Sequence, residues 1–171
     1  MWSRRRFIFV GVAGAIAAGA ALLLPRIGQS SAAPNGSALV KDHADMLRVV
    51  ALAALGPALP QVAGLREGEL LRVLAAAGAL IDNLPASTRR EVGDLFGLLA
   101  VKPARMMLGF SGEWQVSEAP AVAAWLIALR ESSIGLKQQA YFALHDMVYG
   151  SFYSEPATWL ATGYPGPPKL A

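Results

Sequence analysis

The stretch EGELLRVLAAAGALID, residues 67–82, indicates most clearly how this chain folds. Its apolar residues recur at intervals of three and four, which is the spacing of one face of an α-helix. We expect that face to consist of Leu70, Leu71, Leu74, Ala77 and Ile81. The charged residues Glu67, Glu69 and Arg72 then lie on the outer side. The stretch therefore predicts an amphipathic helix that buries one side in a core.

Patterns of the same kind before and after this stretch predict further helices, the first running from Asp42 to Gly56. Polar residues able to cap a first turn mark the other starts, which are Thr88 in a capping box with Glu91, Ser117, and either Ser132 or Ser133. We expect residues 34–41 to form a polar linker and residues 104–110 a short helical turn. Because no run of strand length alternates with period two, the prediction is an all-α fold. It is a small bundle of about five helices with an aromatic and proline-rich C-terminal tail.

Charge is distributed unevenly along the chain, which has 15 basic and 12 acidic residues in a length of 171. Four of the basic residues and none of the acidic ones precede residue 34, which leaves 11 basic residues against 12 acidic ones in the remainder. Phosphate binding needs a clustered basic face. We therefore expect no nucleic-acid partner.

The N-terminal residues 1–10, MWSRRRFIFV, have the layout of a twin-arginine export leader. The arginine pair Arg4 and Arg5 comes just before Phe7, where an apolar run of 18 residues rich in Gly and Ala begins. We predict that residues 1–33 are the export signal and residues 34–171 a single periplasmic domain, with membrane contact only through the leader. The alternative is a retained inner-membrane anchor, since 18 residues is the lower edge of a bilayer span.

Motifs that carry chemistry are missing from the sequence. Cysteine is absent, which excludes disulfide bonds, thiolate metal sites, iron–sulfur clusters and covalently attached haem. The two histidines, His43 and His145, each lack a second ligand at the spacing that places both on one helix face. The domain has no G-x-S-x-G elbow, G-x-G-x-x-G loop or Walker loop. We predict no catalytic, cofactor-binding or metal-binding residue, and we expect this chain not to be an enzyme.

The C-terminal region concentrates the aromatic residues, with seven of them between residues 141 and 164. Two interpretations remain open, because clustered rings complete cores as well as interfaces. In one, the rings finish the core and the prolines only stop a helix. In the other, residues 151–171 form a docking tail, since Tyr and Trp give large contact area and prolines reduce the entropy lost on binding. The predicted partner-binding residues are Tyr149, Tyr153, Trp159, Tyr164, Pro165, Gly166 and Pro167.

The leader, the small helical domain and the tail together resemble a known family. The tail reads Trp-x-x-x-Gly-Tyr-Pro-Gly-Pro-Pro from Trp159 to Pro168. This combination resembles the small, non-catalytic subunits of periplasmic flavin-dependent dehydrogenases of the gluconate 2-dehydrogenase subunit 3 type. It is most similar to the short twin-arginine-leader proteins that pair with glucose-methanol-choline oxidoreductases.

The resemblance implies that FAD and the chemistry reside in a large partner subunit without an export signal of its own. This chain would bind that subunit in the cytoplasm and carry it through the twin-arginine translocase. One alternative is a free-standing periplasmic binding or structural protein, tethered to the membrane if its leader is retained. Another is a small enzyme or metal protein that uses His43 and His145.

Overall fold

The computed structural model describes residues 32–167, and within them the chain is helical with no strand, which confirms the predicted all-α fold. In this part of the chain, seven α-helices are joined by short turns, some of which are 3-10 helical. The helices are α1 (Gly36–Asp42), α2 (Ala44–Leu55), α3 (Ala63–Asp82), α4 (Ala86–Ala100), α5 (Lys102–Met107), α6 (Ala119–Arg130) and α7 (Gly135–Tyr153). None of these described helices combines the length and the apolar character that a membrane span requires.

The expected linker over residues 34–41 is wrong, because most of it forms α1. Asn35 caps this helix: its side-chain oxygen accepts a hydrogen bond from the backbone N–H of Ala38 at 3.0 Å, which satisfies one of the unpaired donors of the first turn. The helix predicted from Glu67 begins four residues earlier, at Ala63. The expected turn over residues 104–110 is the helix α5, which begins at Lys102.

The predicted cap residues Thr88 and Ser117 do not cap their helices. Thr88 lies inside α4, which begins directly after Pro85. Ser117 lies one residue before the cap position of α6, which Glu118 occupies. The Ser117 hydroxyl instead donates to the carbonyl of Glu113 at 2.6 Å. Short polar side chains can bond to nearby backbone outside a helix as well as at its start.

The start of α7 differs from prediction in the same way. Neither Ser132 nor Ser133 is the cap, because Ile134 occupies that position. Ser132 accepts a hydrogen bond from the N–H of Ile134 at 3.1 Å and so shapes the turn before the helix. The helix α7 continues to Tyr153, three residues beyond Gly150.

The core lies where α2 packs against α3, α6 and α7, while α1 covers α3. Val50, Val122 and Leu144 are completely buried there. In α3 the buried stripe is Leu70, Val73, Ala77 and Ile81, spaced by three and four. Leu71 was expected on this stripe but is 60% exposed, because it is one residue, and so about 100°, away from Leu70 around the helix.

Arg105 organises the segment between α4 and α6, although its side chain is almost completely buried. Its guanidinium donates to the carbonyls of Ala100 and Gly112, both at 3.0 Å, and pairs with the carboxylate of Glu113. It also lies 5.8 Å from the ring centroid of Trp114. These contacts offset the free-energy cost of removing the Arg105 charge from water.

Two glycines allow α1 and α3 to approach closely. The N–H of Gly36 donates to a carboxylate oxygen of Asp82 at 2.7 Å. A Cβ atom added at Gly36 would overlap the carbonyl oxygen of Gly78 and lie 2.9 Å from the Cβ of Ile81. These neighbours belong to the backbone and core of α3, so they cannot move aside cheaply.

Replacing Gly36 with alanine is therefore expected to lower the free energy of unfolding by about 1–3 kcal/mol, which is typical of overpacking. The matched control is Gly68→Ala in α3, where an added Cβ meets nothing within 4 Å. That change is expected to raise stability by about 0.5–1 kcal/mol, because alanine has the higher helix propensity. Urea unfolding of both variants measures the difference. Equal stability of the two variants would contradict the close packing of α1 on α3.

Candidate docking site

Four aromatic side chains form a ladder along one face of α7. Their spacing of four residues places them above one another on a helix. The centroids of successive rings are 5.3, 4.3 and 6.0 Å apart. We call this set the α7 ladder; its members are Tyr141, His145, Tyr149 and Tyr153.

Tyr149 fixes the ladder to the bundle, because its hydroxyl donates to the carbonyl of Ala54 in α2 at 2.7 Å. Burial raises the pKa of the Tyr149 hydroxyl, and the neighbouring Tyr141 and Tyr153 add to this effect. The group therefore remains a neutral donor across the physiological pH range. His145 is held beside it, with Nδ1 3.0 Å from a carboxylate oxygen of Asp146.

A groove runs beside the ladder, between α2, α6 and α7, with a volume of about 150 Å³. Val50, Leu126 and Leu144 contribute to its apolar lining. Arg130 lies at the edge of this α7 groove and donates to the carboxylate of Glu131 at 3.1 Å. Glu131 and, to a smaller extent, Tyr141 raise the pKa of Arg130, so a cation stands beside an apolar surface.

The tail folds back on Trp159 instead of extending from the domain. The indole N–H of Trp159 donates to the carbonyl of Tyr153 at 2.8 Å, and its ring meets that of Tyr164 edge-on at 5.4 Å. Gly163, with φ of 74°, ends the last 3-10 helix in the left-handed conformation that glycine adopts readily. An added Cβ at Gly166 would contact the Trp159 ring at 3.4 Å. We call residues 156–167 the tail turn.

The tail turn is a surface element outside the hydrophobic core. Trp159 is half-buried, whereas Tyr164 is 48% exposed and Leu160 is 83% exposed. Pro165 and Pro167 are exposed as well.

The predicted partner-binding residues fall into two adjoining groups. Tyr149 and Tyr153 belong to the α7 ladder, whereas the other five belong to the tail turn; these are Trp159, Tyr164, Pro165, Gly166 and Pro167. The bond between the Trp159 indole and the Tyr153 carbonyl joins the two groups. Residues 151–153, expected to start the tail, form the last turn of α7.

The predicted export-signal residues Arg4, Arg5 and Phe7 lie outside the described residues, as does Pro168 of the tail motif. The described part of the domain begins only at Ala32, so the predicted boundary at residue 33 falls close to its edge.

Arg72 of α3 is the residue that sequence reasoning missed. Its guanidinium donates to the carbonyls of Ser151 and Phe152, at 3.3 and 3.1 Å, and to the carboxylate of Glu69. It also lies 5.9 Å from the ring centroid of Phe152. The last carbonyls of a helix lack partners within the helix, so Arg72 caps α7 at the point where the tail turn begins. The only indication in the sequence was the spacing of three residues between Glu69 and Arg72, which allows the two side chains to pair on one helix.

Within residues 32–167, no three His, Asp or Glu side chains come together as a metal site would require. His43 lies between α1 and α2, with Nδ1 2.9 Å from the carbonyl of Leu39 and its ring 5.4 Å from that of Phe96. His145 lies on the α7 ladder. No family model matches the sequence, and no curated protein or solved structure is significantly similar to the chain.

Replacing Arg72 with glutamine is expected to expose the C-terminal carbonyls of α7 and loosen the tail turn. Hydrogen exchange of the Trp159 indole N–H should accelerate, and the free energy of unfolding should fall by about 1–3 kcal/mol, since a charged donor to buried acceptors is lost. Nuclear magnetic resonance of the indole groups measures the first effect and urea unfolding the second.

The matched control is Arg48→Gln, which removes the exposed ion pair between Arg48 and Glu67 on the neighbouring helices. Exposed pairs contribute at most about 1 kcal/mol, and this pair does not touch the tail. If Arg72→Gln left the protection of the Trp159 indole at the level of the control, Arg72 would not hold the tail.

Proposed function

We propose that this chain is a non-catalytic accessory subunit that escorts a FAD-dependent dehydrogenase subunit through the twin-arginine pathway. It binds the folded flavoprotein in the cytoplasm, passes the translocase with it and remains in the periplasm as its small subunit. The twin-arginine route carries folded cargo, and a partner folded around FAD gives a reason for that route. The leader motif and the resemblance of the tail support this proposal.

The observation that carries the docking role is the tail turn, a compact and exposed element that leaves the core complete without it. A surface segment that is already folded loses less conformational entropy on association than a flexible one. Tyr and Trp side chains supply contact area together with a polar tip. The tail turn offers both, next to a helix face that carries more aromatic rings.

Export of the flavoprotein should depend on the arginine pair of this chain. Replacing Arg4 and Arg5 with lysine is expected to retain both proteins in the cytoplasm when the chain is co-expressed with a large FAD-dependent dehydrogenase subunit that has no export signal of its own. The measurement is FAD-linked dehydrogenase activity and protein content in periplasmic and cytoplasmic fractions. The matched control is Arg6→Lys, which changes the residue between the pair and Phe7 and should leave export unchanged. If only this chain is retained and the flavoprotein still reaches the periplasm, the escort role is wrong.

Partner binding should depend on the tail turn. Trp159→Ala, or termination before Tyr164, is expected to weaken binding to the flavoprotein by at least about tenfold, as for an aromatic anchor at an interface. The helical content should stay unchanged, because neither residue belongs to the core. Co-purification and titration of the two proteins measure the affinity.

The control for the tail variants is Val116→Ala, which trims a side chain that is 79% exposed and outside both the ladder and the tail turn. An unchanged complex in the tail variants would remove the tail from the interface. A stable monomer that is exported alone, with no flavoprotein, would favour a free-standing periplasmic protein instead.

A further inference from the structure

We propose that the α7 groove is a second contact for the same flavoprotein and receives one large apolar side chain of it, next to a carboxylate that pairs with Arg130. This inference rests on the proposed function, since it names how the partner is recognised. The tail turn alone is small, whereas a specific interface of standard size buries about 800 Å² on each partner. A second contact along α7 would extend the surface.

The size of the groove fits one anchor side chain. Its volume of about 150 Å³ is close to that of an apolar cavity able to hold a benzene ring. The groove is open to solvent, and Ile127 at its wall is 47% exposed. A Phe or Leu side chain placed there would cover Ile127 and fill the space above Leu126 and Leu144. Pockets that receive such anchors dominate the energy of many interfaces.

The charge beside the groove determines which polar group of the partner can lie next to the apolar side chain. Among the described residues that line the groove, Arg130 is the only lysine or arginine. The Arg130–Glu131 pair is exposed, with 51% and 65% of the two side chains accessible, and such pairs stabilise little. A guanidinium has five N–H donors, so Arg130 can donate to a partner carboxylate while it keeps its bond to Glu131.

The cation at the edge of the groove favours an acceptor on the partner. The neighbouring cation Arg130 remains the main donor at the edge. An apolar side chain flanked by a carboxylate therefore matches the groove better than one flanked by an ammonium group, which would meet like charge.

The α7 ladder runs from the groove to Tyr153, the residue whose carbonyl holds the tail turn. Tyr141 and Tyr149 line the groove, and the carbonyl of Tyr153 holds the Trp159 indole. The ladder runs from Tyr141 to Tyr153, and its twelve residue-to-residue steps correspond to about 18 Å of helix at 1.5 Å per residue. One face of a folded partner can reach across this distance and engage both ends.

The test measures the affinity of the full chain for the same dehydrogenase subunit, loaded with FAD. Ala123→Phe fills the groove from its α6 wall, and Ile127→Glu places a carboxylate one turn from Arg130 at an exposed position that folding tolerates. Both variants are expected to raise the Kd by about tenfold or more. Arg130→Gln should raise it by a smaller factor, about threefold to tenfold, and should reduce its dependence on salt.

Matched controls are Ala124→Phe, at an exposed neighbour of Ala123 that does not line the groove, and Arg48→Gln for the loss of one exposed cation. Both should leave the Kd within about twofold of that of the unchanged chain. Thermal unfolding of every variant checks that the bundle is intact, and Ile127→Glu keeps the test valid if Ala123→Phe does not fold.

The possible outcomes distinguish failure of the groove inference from failure of the proposed function. If the tail variants weaken binding while Ala123→Phe, Ile127→Glu and Arg130→Gln do not, the groove inference is overturned and the escort proposal stands. If the unchanged chain binds no flavoprotein, the proposed function fails and the groove inference with it. If light scattering shows that the groove variants abolish self-association and leave flavoprotein affinity unchanged, the groove binds a second copy and the inference is overturned.

Discussion

The arrangement of the candidate docking surface depends on the bond between the Arg72 guanidinium and the last carbonyls of α7. A helix ends with carbonyl groups that have no partner within it and with a partial negative charge. Arg72, on the neighbouring helix α3, places a positive charge at this end and donates hydrogen bonds to the carbonyls of Ser151 and Phe152. Glu69 holds the guanidinium in place from one turn away. The end of α7, and the tail turn that follows it, therefore keep a defined position on the bundle.

The ladder and the groove are fixed separately, by the packing of α7 against the core. The helix α7 presents one face to the core through Leu144 and Val148 and an adjoining face to the surface through its aromatic ladder. Tyr149 lies at the border, with its ring in the ladder and its hydroxyl bonded to α2. The partner-facing surface that we propose is thus built on a helix that the core already fixes, which makes its side chains well positioned for binding.

Much of the helical architecture could be predicted from the sequence, because burial imposes the 3.6-residue period directly on the order of residues. The stripe of α3 from Leu70 to Ile81 is the clearest case, although Leu71 shows that a run of leucines does not mark the edge of a buried face. Helix starts were harder to predict. Thr88 and Ser117 have the chemistry of caps, but Pro85 and Glu118 occupy the cap positions of those helices. The missed helix α1 depends on close packing of Gly36 against Gly78, a contact between distant parts of the chain.

The candidate site was predictable in its residue types but not in its geometry. The aromatic residues and prolines left both a completed core and a docking tail open, and the spacing of four residues between Tyr149 and Tyr153 was visible in the sequence. The capping role of Arg72 was not, since its partners in α7 lie about eighty residues away. Arg105 is similar, because a buried arginine has no local signal that separates it from a solvated one. The export role and the flavoprotein partner remain predictions that rest on the leader and the tail.

The position of α1 also limits how a leader could be removed. Asn35 caps this helix, and Gly36 is already buried against α3. Pro34 lies close to Gly93 of α4, where an added Cβ would come within 3.4 Å of its ring. A peptidase acts on exposed, extended chain, and residue 33 directly precedes this packed region. Cleavage close to residue 33 would therefore bring the enzyme against the folded bundle, and cutting further upstream, or before α1 docks, meets less steric resistance.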